Sequence, residues 1–430
     1  MDLTMIKRWQ WVLRRITRRL WFRASLFSLL GVATAFLGLL LKQYIPDEVS
    51  ARVGADAVDN ILEILASSML AATTFSLNIM VSAYASATTN VTPRATPLLL
   101  EDRTTQNALA TFIGSFLFSL VGIIALSTSL YGKNGRVVMF AVTIVVIALI
   151  VYTLLRWIDH LAHLGRLGET TDRVEAAAIA ALKQRMKRPY LGGHALPQAG
   201  RPVHARAVCS AEVGYIQHID VPALGKLSDK PGSAVYVEVL PGSFVDEHSV
   251  LAYAERLDDS ATESLRAAFS IGTQRSFEQD PRFGLSVLAE IASRALSPAV
   301  NDPGTAIDVI GRAVRVLSLW NGRSEVQEAP IPECRRVFAP LLDVNDMFDD
   351  IFGPIARDGA GIVEVGVRLQ KALCLLGRGS DPAFAAAVVK HSELAVKRAE
   401  LALNLEEDKQ ALRELASKTQ QCALRPPGRS

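Results

Sequence analysis

No two cysteines in this chain of 430 residues stand within four positions of each other; there are only Cys209, Cys334, Cys374 and Cys422. That spacing excludes a Cys-x-x-Cys redox pair and the usual zinc-ligand sets. All four follow the last long apolar run, and their simplest account is reduced thiols in a cytosolic domain. Charge imbalance is equally scarce. The 46 Lys and Arg against 43 Asp and Glu leave a net charge of +3, too little to argue for a nucleic-acid partner. There is no glycine-rich phosphate loop with its lysine, and nothing groups the Ser, His and Asp residues. Neither a catalytic constellation nor a cofactor site is expected, and the chain is not read as an enzyme. Charge is missing altogether from Ile64 to Pro93. Half the residues are hydrophobic and the mean hydropathy is +0.24, high for a soluble protein.

The charge-free run is long enough to cross a bilayer as a helix, yet it is rich in Ser, Thr and Asn. At 100° per residue, Ser67, Thr74, Asn78, Ser82 and Thr89 fall on one arc, which Ala71 and Ala85 complete. Leu65, Met69, Met80 and Tyr84 lie on the other face. An amide such as Asn78 facing lipid costs several kcal/mol, so the stripe is expected to face protein or water. Two readings fit: a helix–helix contact with small polar residues as glue, or one wall of a water-filled path. The run breaks at Thr92-Pro93-Arg94, and Leu98-Leu99-Leu100-Glu101-Asp102-Arg103 follows. Thr92 is expected to cap a short helix starting at Pro93 on the cytosolic face, with Arg94 and Arg103 reaching lipid phosphates or acidic side chains.

Residues 1–23 hold Lys7, Arg8, Arg14, Arg15, Arg18, Arg19 and Arg23 interleaved with Trp9, Trp11, Trp21 and Phe22. This is a basic amphipathic segment with aromatic anchors for a headgroup layer. A nucleic-acid arm is also basic, but an apolar run follows at once. That run, Ala24–Leu41, is the first expected span rather than a cleaved signal peptide, because more spans follow. The striped helix is the second, Thr104–Gly132 the third and Val137–Leu155 the fourth. Ser115, Ser119 and Gly122 make a small face on the third that would receive the second closely. Lys and Arg are dense before the first span and again after the fourth, at Arg156, Arg166, Arg173, Lys183, Arg185, Lys187 and Arg188. Both termini are therefore expected in the cytoplasm, with residues 24–158 as a four-helix transmembrane domain. Asp159, His160 and His163 form only a partial metal-ligand set; a helix leaving the membrane, Trp157 to Lys187, is the plainer reading.

Residues 159–202 end in a Pro/Gly-rich linker, Pro189 to Pro202. Residues 203–257 read as a small β domain, with strands at Val203–Cys209, Tyr215–Ile219, Val235–Leu240 and Val250–Tyr253. The turn Pro241-Gly242-Ser243-Phe244-Val245-Asp246 resembles that of biotinyl/lipoyl-like barrel-sandwich domains. No lysine stands at a matching hairpin, so only the fold is implied. Residues 258–420 read as helical, with a disordered tail at 421–430. Asp280 and Asp302 each precede a proline, Pro281 and Pro303, and are each read as an N-cap. The functional alternative is a polar cluster of Arg275, Glu278, Arg294, Asn301 and Asp302 that grips a ligand or a neighbouring subunit. Leu394, Leu401, Leu405 and Leu412 recur near heptad spacing along one helix, Asp381 to Thr419.

The chain resembles the bacterial predicted membrane proteins grouped as domain of unknown function 2254. The matching residues are Thr74-Phe75-Ser76-Leu77, Thr92-Pro93-Arg94, Asp102-Arg103 with Gln106, and Phe112-Ile113-Gly114. In the second half they are Gly214-Tyr215-Ile216, Pro241 to Val245, Glu278 to Gly284, Ala295 to Pro298 and Asn301 to Ala306. The resemblance implies a four-span protein of the inner membrane and brings no activity with it. The expected architecture is thus an α-helical multipass membrane domain followed by a cytosolic α+β domain, part barrel-sandwich-like and part helical. The expected function is an oligomeric channel or transport-type protein with a cytosolic regulatory domain. The alternative is a non-conducting membrane-anchored sensor or scaffold. The expected partners are the lipid bilayer and further copies of the chain.

Overall fold

The computed structural model describes Ser25, Leu29, Ala33 and residues 55–424, apart from 101, 128–131, 162–166, 198–200, 230–231, 257–258, 322–331 and 380. The basic segment 1–23, nearly all of the first expected span, His163 and the tail 425–430 lie outside the described residues. The chain divides into two compact units.

The unit spanning residues 93–169 together with those up to Thr89 holds the membrane-type helices. Helix α1 is Ala55–Asn90. A 3-10 turn, Pro93–Ala95, leads into the short α2, Thr96–Leu100. Then come α3, Arg103–Ser127, and α4, Gly132–Leu161. Among the described residues three segments are long and apolar enough to cross a membrane: Val58–Ser86, Thr104–Ser127 and Val137–Leu161. Helix α1 starts well before the charge-free run, taking in Asp59 and Glu63; charges at a helix end can sit among headgroups, so the run's start is not the helix start. Among the described residues two apolar clusters hold the unit. One joins Val58 and Leu62 to Phe118, Leu126 and Met139. The other joins Met69 to Ala108, Phe112, Ile150 and Trp157. Gly122 permits a close approach, since a Cβ there would lie 2.9 Å from Leu62 Cδ1. Ile144, Val145, Leu149, Val151, Tyr152 and Leu155 on α4 are exposed, as a lipid-facing surface requires.

The second unit runs from Thr170 onward. Helix α5, Leu167–Lys187, precedes β1, His194–Ala195. The strand-rich part continues with β2 Arg206–Cys209, β3 Gly214–Ile219, α6 Val221–Leu227, β4 Ala234–Val237, β5 Phe244–Val245 and β6 Val250–Glu255. Helix α7, Asp259–Ala267, and β7, Phe269–Gly272, follow. One sheet has the order β1-β8-β4-β6-β2 and the other β5-β3-β7, where β8 is Val337–Ala339. Strand β8 pairs in parallel with both β1 and β4; the remaining pairs are antiparallel. Strands β7 and β8 thus come from the stretch read as helical.

The helices after β7 pack on one another: α8 Pro281–Ala295, α9 Pro303–Asn321, α10 Val344–Asp358, α11 Val363–Leu376, α12 Pro382–Ala402 and α13 Glu406–Leu424. The single long helix expected from Asp381 to Thr419 is two helices. Leu403 turns to an extended conformation, and the acidic Glu406-Glu407-Asp408 opens a new helix, where negative charge suits the N-terminal dipole. The leucine repeat is accordingly no common seam, for Leu401 is 90% exposed and Leu412 2%. Cys374 on α11 and Cys422 on α13 form a disulfide, which corrects the expectation of four free thiols; Cys209 and Cys334 remain free.

Candidate functional site

Around α1 the polar stripe occupies the side opposite the packed one. Ser67, Ala71, Thr74, Asn78, Ser82, Ala85 and Thr89 are all exposed. Val58, Leu62, Ala66, Met69, Ser76 and Ala83 are buried. Three stripe hydroxyls turn back on their own helix: Ser67 donates to the Glu63 and Ile64 carbonyls, Thr74 to Leu70 and Thr89 to Ala85. This local bonding lowers their demand for an outside partner. An amide has no such recourse, so Asn78 is the costly group of the stripe. Exposed Ile64, Leu70, Phe75, Leu77 and Val81 flank it. The small face of α3 does receive α1, but at Leu62, which meets Gly122; Ser115, Ser119 and Gly122 are buried while the stripe is exposed, so the stripe is not packed on them.

Thr92 is grouped with the second unit, and its hydroxyl donates to Glu290 of α8 at 2.9 Å. Pro93 and Arg94 are exposed. Asp102 caps α3, accepting from the Thr105 amide and hydroxyl at 2.8 and 2.7 Å. It also lies 2.8 Å from His160 Nε2 near the end of α4. The His160 ring stacks on Trp157, whose indole donates to Ser76 Oγ at 2.9 Å. His160, singled out beside Asp159 and His163, thus works with Asp102. The signal for the Trp157 contact was Ser76 itself, a hydroxyl among the apolar positions of α1. The side chain of Arg103 lies outside the described residues.

The signature around Asp280 is a built polar hub. Pro281 opens α8, and the Asp280 carboxylate accepts from the Phe283 amide. The same carboxylate, only 2% exposed, takes both arms of Arg275 at 2.7 and 3.0 Å. Gly242, at φ +97°, abuts it, and any Cβ there would collide with the carboxylate. The Pro241-Gly242 turn and the start of α8 are therefore fitted to each other. Gln279 accepts from the Ile219 amide through Oε1, and its carbonyl accepts from Arg185 of α5 at 3.1 Å. Arg282 bridges to Asp346 and Asp350 of α10; burial pushes the Asp350 carboxyl up against the pull of that arginine. Glu278 is half-buried beside Ser276, whose Oγ accepts from its amide.

Arg294, Asn301, Asp302 and Pro303 lie at the other end of α8, about 22 Å away along a helix of that length. The structure therefore does not gather Arg275, Glu278, Arg294, Asn301 and Asp302 into one cluster. Asp302 caps α9, receiving the Thr305 amide at 3.0 Å and its hydroxyl at 2.5 Å. These two bonds hold its carboxyl below the usual carboxylate range. Asn301 sits at φ +49°, a conformation asparagine tolerates, and its amide closes the turn on Ser297. Arg294 is exposed. A second hub, which sequence reasoning missed, joins α5 to α9: Arg312 reaches Asp172, Glu175 and Asp308, and Arg315 reaches Glu175. Among the described residues no group of three or more His, Cys, Asp or Glu has metal-site geometry.

Residues 17–374 match the model of a family described as predicted membrane protein, DUF2254. The chain belongs to this family. Similar curated relatives of these DUF2254 residues are uncharacterized proteins of Mycobacterium bovis and Mycobacterium tuberculosis, each 26% identical over 264 residues. The alignment covers 58% of this chain and 49% of theirs, so the chain spans about half the length of the curated relatives it matches. No solved structure matches the chain. The matched residues include both the Asp280 hub and the α1 stripe, and the family's description names no activity.

Proposed function

We propose that this chain is an oligomeric channel or transport-type protein of the bacterial inner membrane. In this reading Ala24–Leu41 adds a fourth span to the three membrane-type helices, and both termini lie in the cytoplasm. The second unit, with a barrel-sandwich-like β part, regulates the membrane part. The observation that supports it is the exposure of the α1 stripe opposite its packed face. In hydrocarbon an uncovered Asn78 amide costs several kcal/mol. Copies of the chain around an axis would cover the stripe or enclose water along it. Four spans leave little room for a pore within one chain, which is why the path needs several.

The test is Asn78→Leu, with ion flux into liposomes measured beside the melting temperature in detergent. The stripe as a hydrated wall predicts lower flux, because leucine dries a constriction, with an unchanged melting temperature, because Asn78 packs against nothing tight. An inactive wild type with a destabilised variant would leave the other reading, a non-conducting anchor whose stripe is a subunit contact.

A further inference from the structure

Between α5 and the strand-rich part lies a cavity of about 40 Å³ lined by Gln184, Arg185, Arg188, Leu191, Ile219 and Gln279, among others. Arg185 is 4% exposed. Its Nη2 donates to the Gln279 carbonyl at 3.1 Å, while the buried Nη1 has no hydrogen-bond partner. Among the described residues no carboxylate pairs with it. Asp280 acts on it only at longer range, being held by Arg275. Burial therefore wins and lowers the guanidinium to about 10, still charged at neutral pH. A buried guanidinium normally has a carboxylate or phosphate on its fork. The neighbours are arranged to help a ligand rather than to replace one. Arg188 already carries Glu333 at 2.6 Å. Gln279 has its Oε1 on the Ile219 amide, so its other side-chain group is a donor.

We propose that this cavity binds a small oxyanion, a phosphate-type group or a carboxylate, with Arg185 Nη1 as the charged donor and Gln279 as a second. The volume admits an ion or the anionic end of a larger molecule. The ligand would draw α5 and the Gln279-Asp280 turn together, since Arg185 and Gln279 stand on those two elements. The site stands whether or not the membrane part conducts.

The test follows thermal unfolding of the full-length chain in detergent, at fixed ionic strength in chloride, with inorganic phosphate, methyl phosphate or acetate added. A saturable rise in Tm is expected for the wild type. Phosphate alone raising Tm identifies a free ion, methyl phosphate acting as well identifies the end of a larger molecule, and acetate acting identifies a carboxylate. Arg185→Gln removes the charge, and Ala181→Leu fills the same cavity while leaving Arg185. Each should weaken half-saturation by about tenfold or more, Arg185→Gln by the loss of one charge-assisted hydrogen bond and Ala181→Leu by the loss of the space the ion would occupy. If Arg185→Gln fails to fold, Ala181→Leu decides. No saturable response in the wild type, or one that survives in the folded variants, overturns the site.

Discussion

Asp280 and Asp302 hold the same position in their helices, directly before a proline, and differ in what else they hold. Asp302 bonds only its own helix start. Asp302→Ala should cost about 1 kcal/mol, the value of a cap. Because the carboxyl is held below its unfolded value, that contribution is present above the ordinary aspartate pKa and is lost as pH falls through the lower folded one. The gap between wild type and variant should therefore close in acid. Asp280 also neutralises Arg275, so Asp280→Ala should cost about 3 kcal/mol or more, by leaving a half-buried guanidinium unpaired. Denaturant titration of the full chain compares the two; equal losses would mean that Arg275 finds another partner. A third residue gives a pH dependence of its own. His391 on α12 is 3% exposed among Phe348 and Phe352, and burial lowers its imidazole to about 4 despite Asp349 nearby. Its folded form is neutral, so stability is full above the unfolded pKa of about 6.5. It falls as the unfolded chain gains a proton, by up to roughly 3 kcal/mol towards pH 4. His391→Leu should flatten the stability profile between pH 7 and 4.5; an unchanged slope would place the titration elsewhere.

At the scale of elements, what could be read in advance depended on how locally each is determined. The Asp-Pro pairs announced α8 and α9 because a cap and a preset φ act within four residues. The apolar runs announced α3 and α4, and strands β2, β3, β4 and β6 showed through their β-branched residues. Strands β7 and β8 did not show. With four and three residues they exist only through pairing, β8 with partners well over a hundred residues earlier in the case of β1. The break between α12 and α13 was hidden by leucines at near-heptad spacing, although the three acids at Glu406 were a usable start signal. The site divides in the same way. Asp280 as a cap was legible, but its grip on Arg275 and its contact with Gly242 need the folded β part. Arg185 gave no signal at all. It read as one of several basic residues after a span, and only the fold buries it.

At the scale of the molecule, the number of spans and the state of one cysteine pair are a single question. Seven Lys and Arg precede Ala24, and in the proposed topology they keep the start of the chain in the cytoplasm. Three spans would then deliver the second unit to the far side of the membrane, and four would return it. The basic residues soon after α4, Arg166 and Arg173, favour the return, because the charge rule acts near the span and during insertion, before Arg185 and Arg188 are folded away. Yet Cys374 and Cys422 are joined, and disulfides persist mainly in oxidising compartments. Four spans therefore predict that this pair is reduced in intact cells and closes only on extraction in air. They also predict that a cysteine placed by Arg52→Cys is labelled by an impermeant maleimide from outside. Three spans, with Ala24–Leu41 not crossing, predict the reverse for both: a disulfide already present in cells quenched with acid, and labelling at position 52 only after permeabilisation. Acid quenching followed by a thiol-mass shift of Cys374 and Cys422, run beside the labelling, decides the matter. A pair that is oxidised in the quenched cell would overturn the cytoplasmic placement of the second unit and move its oxyanion site to the periplasmic side.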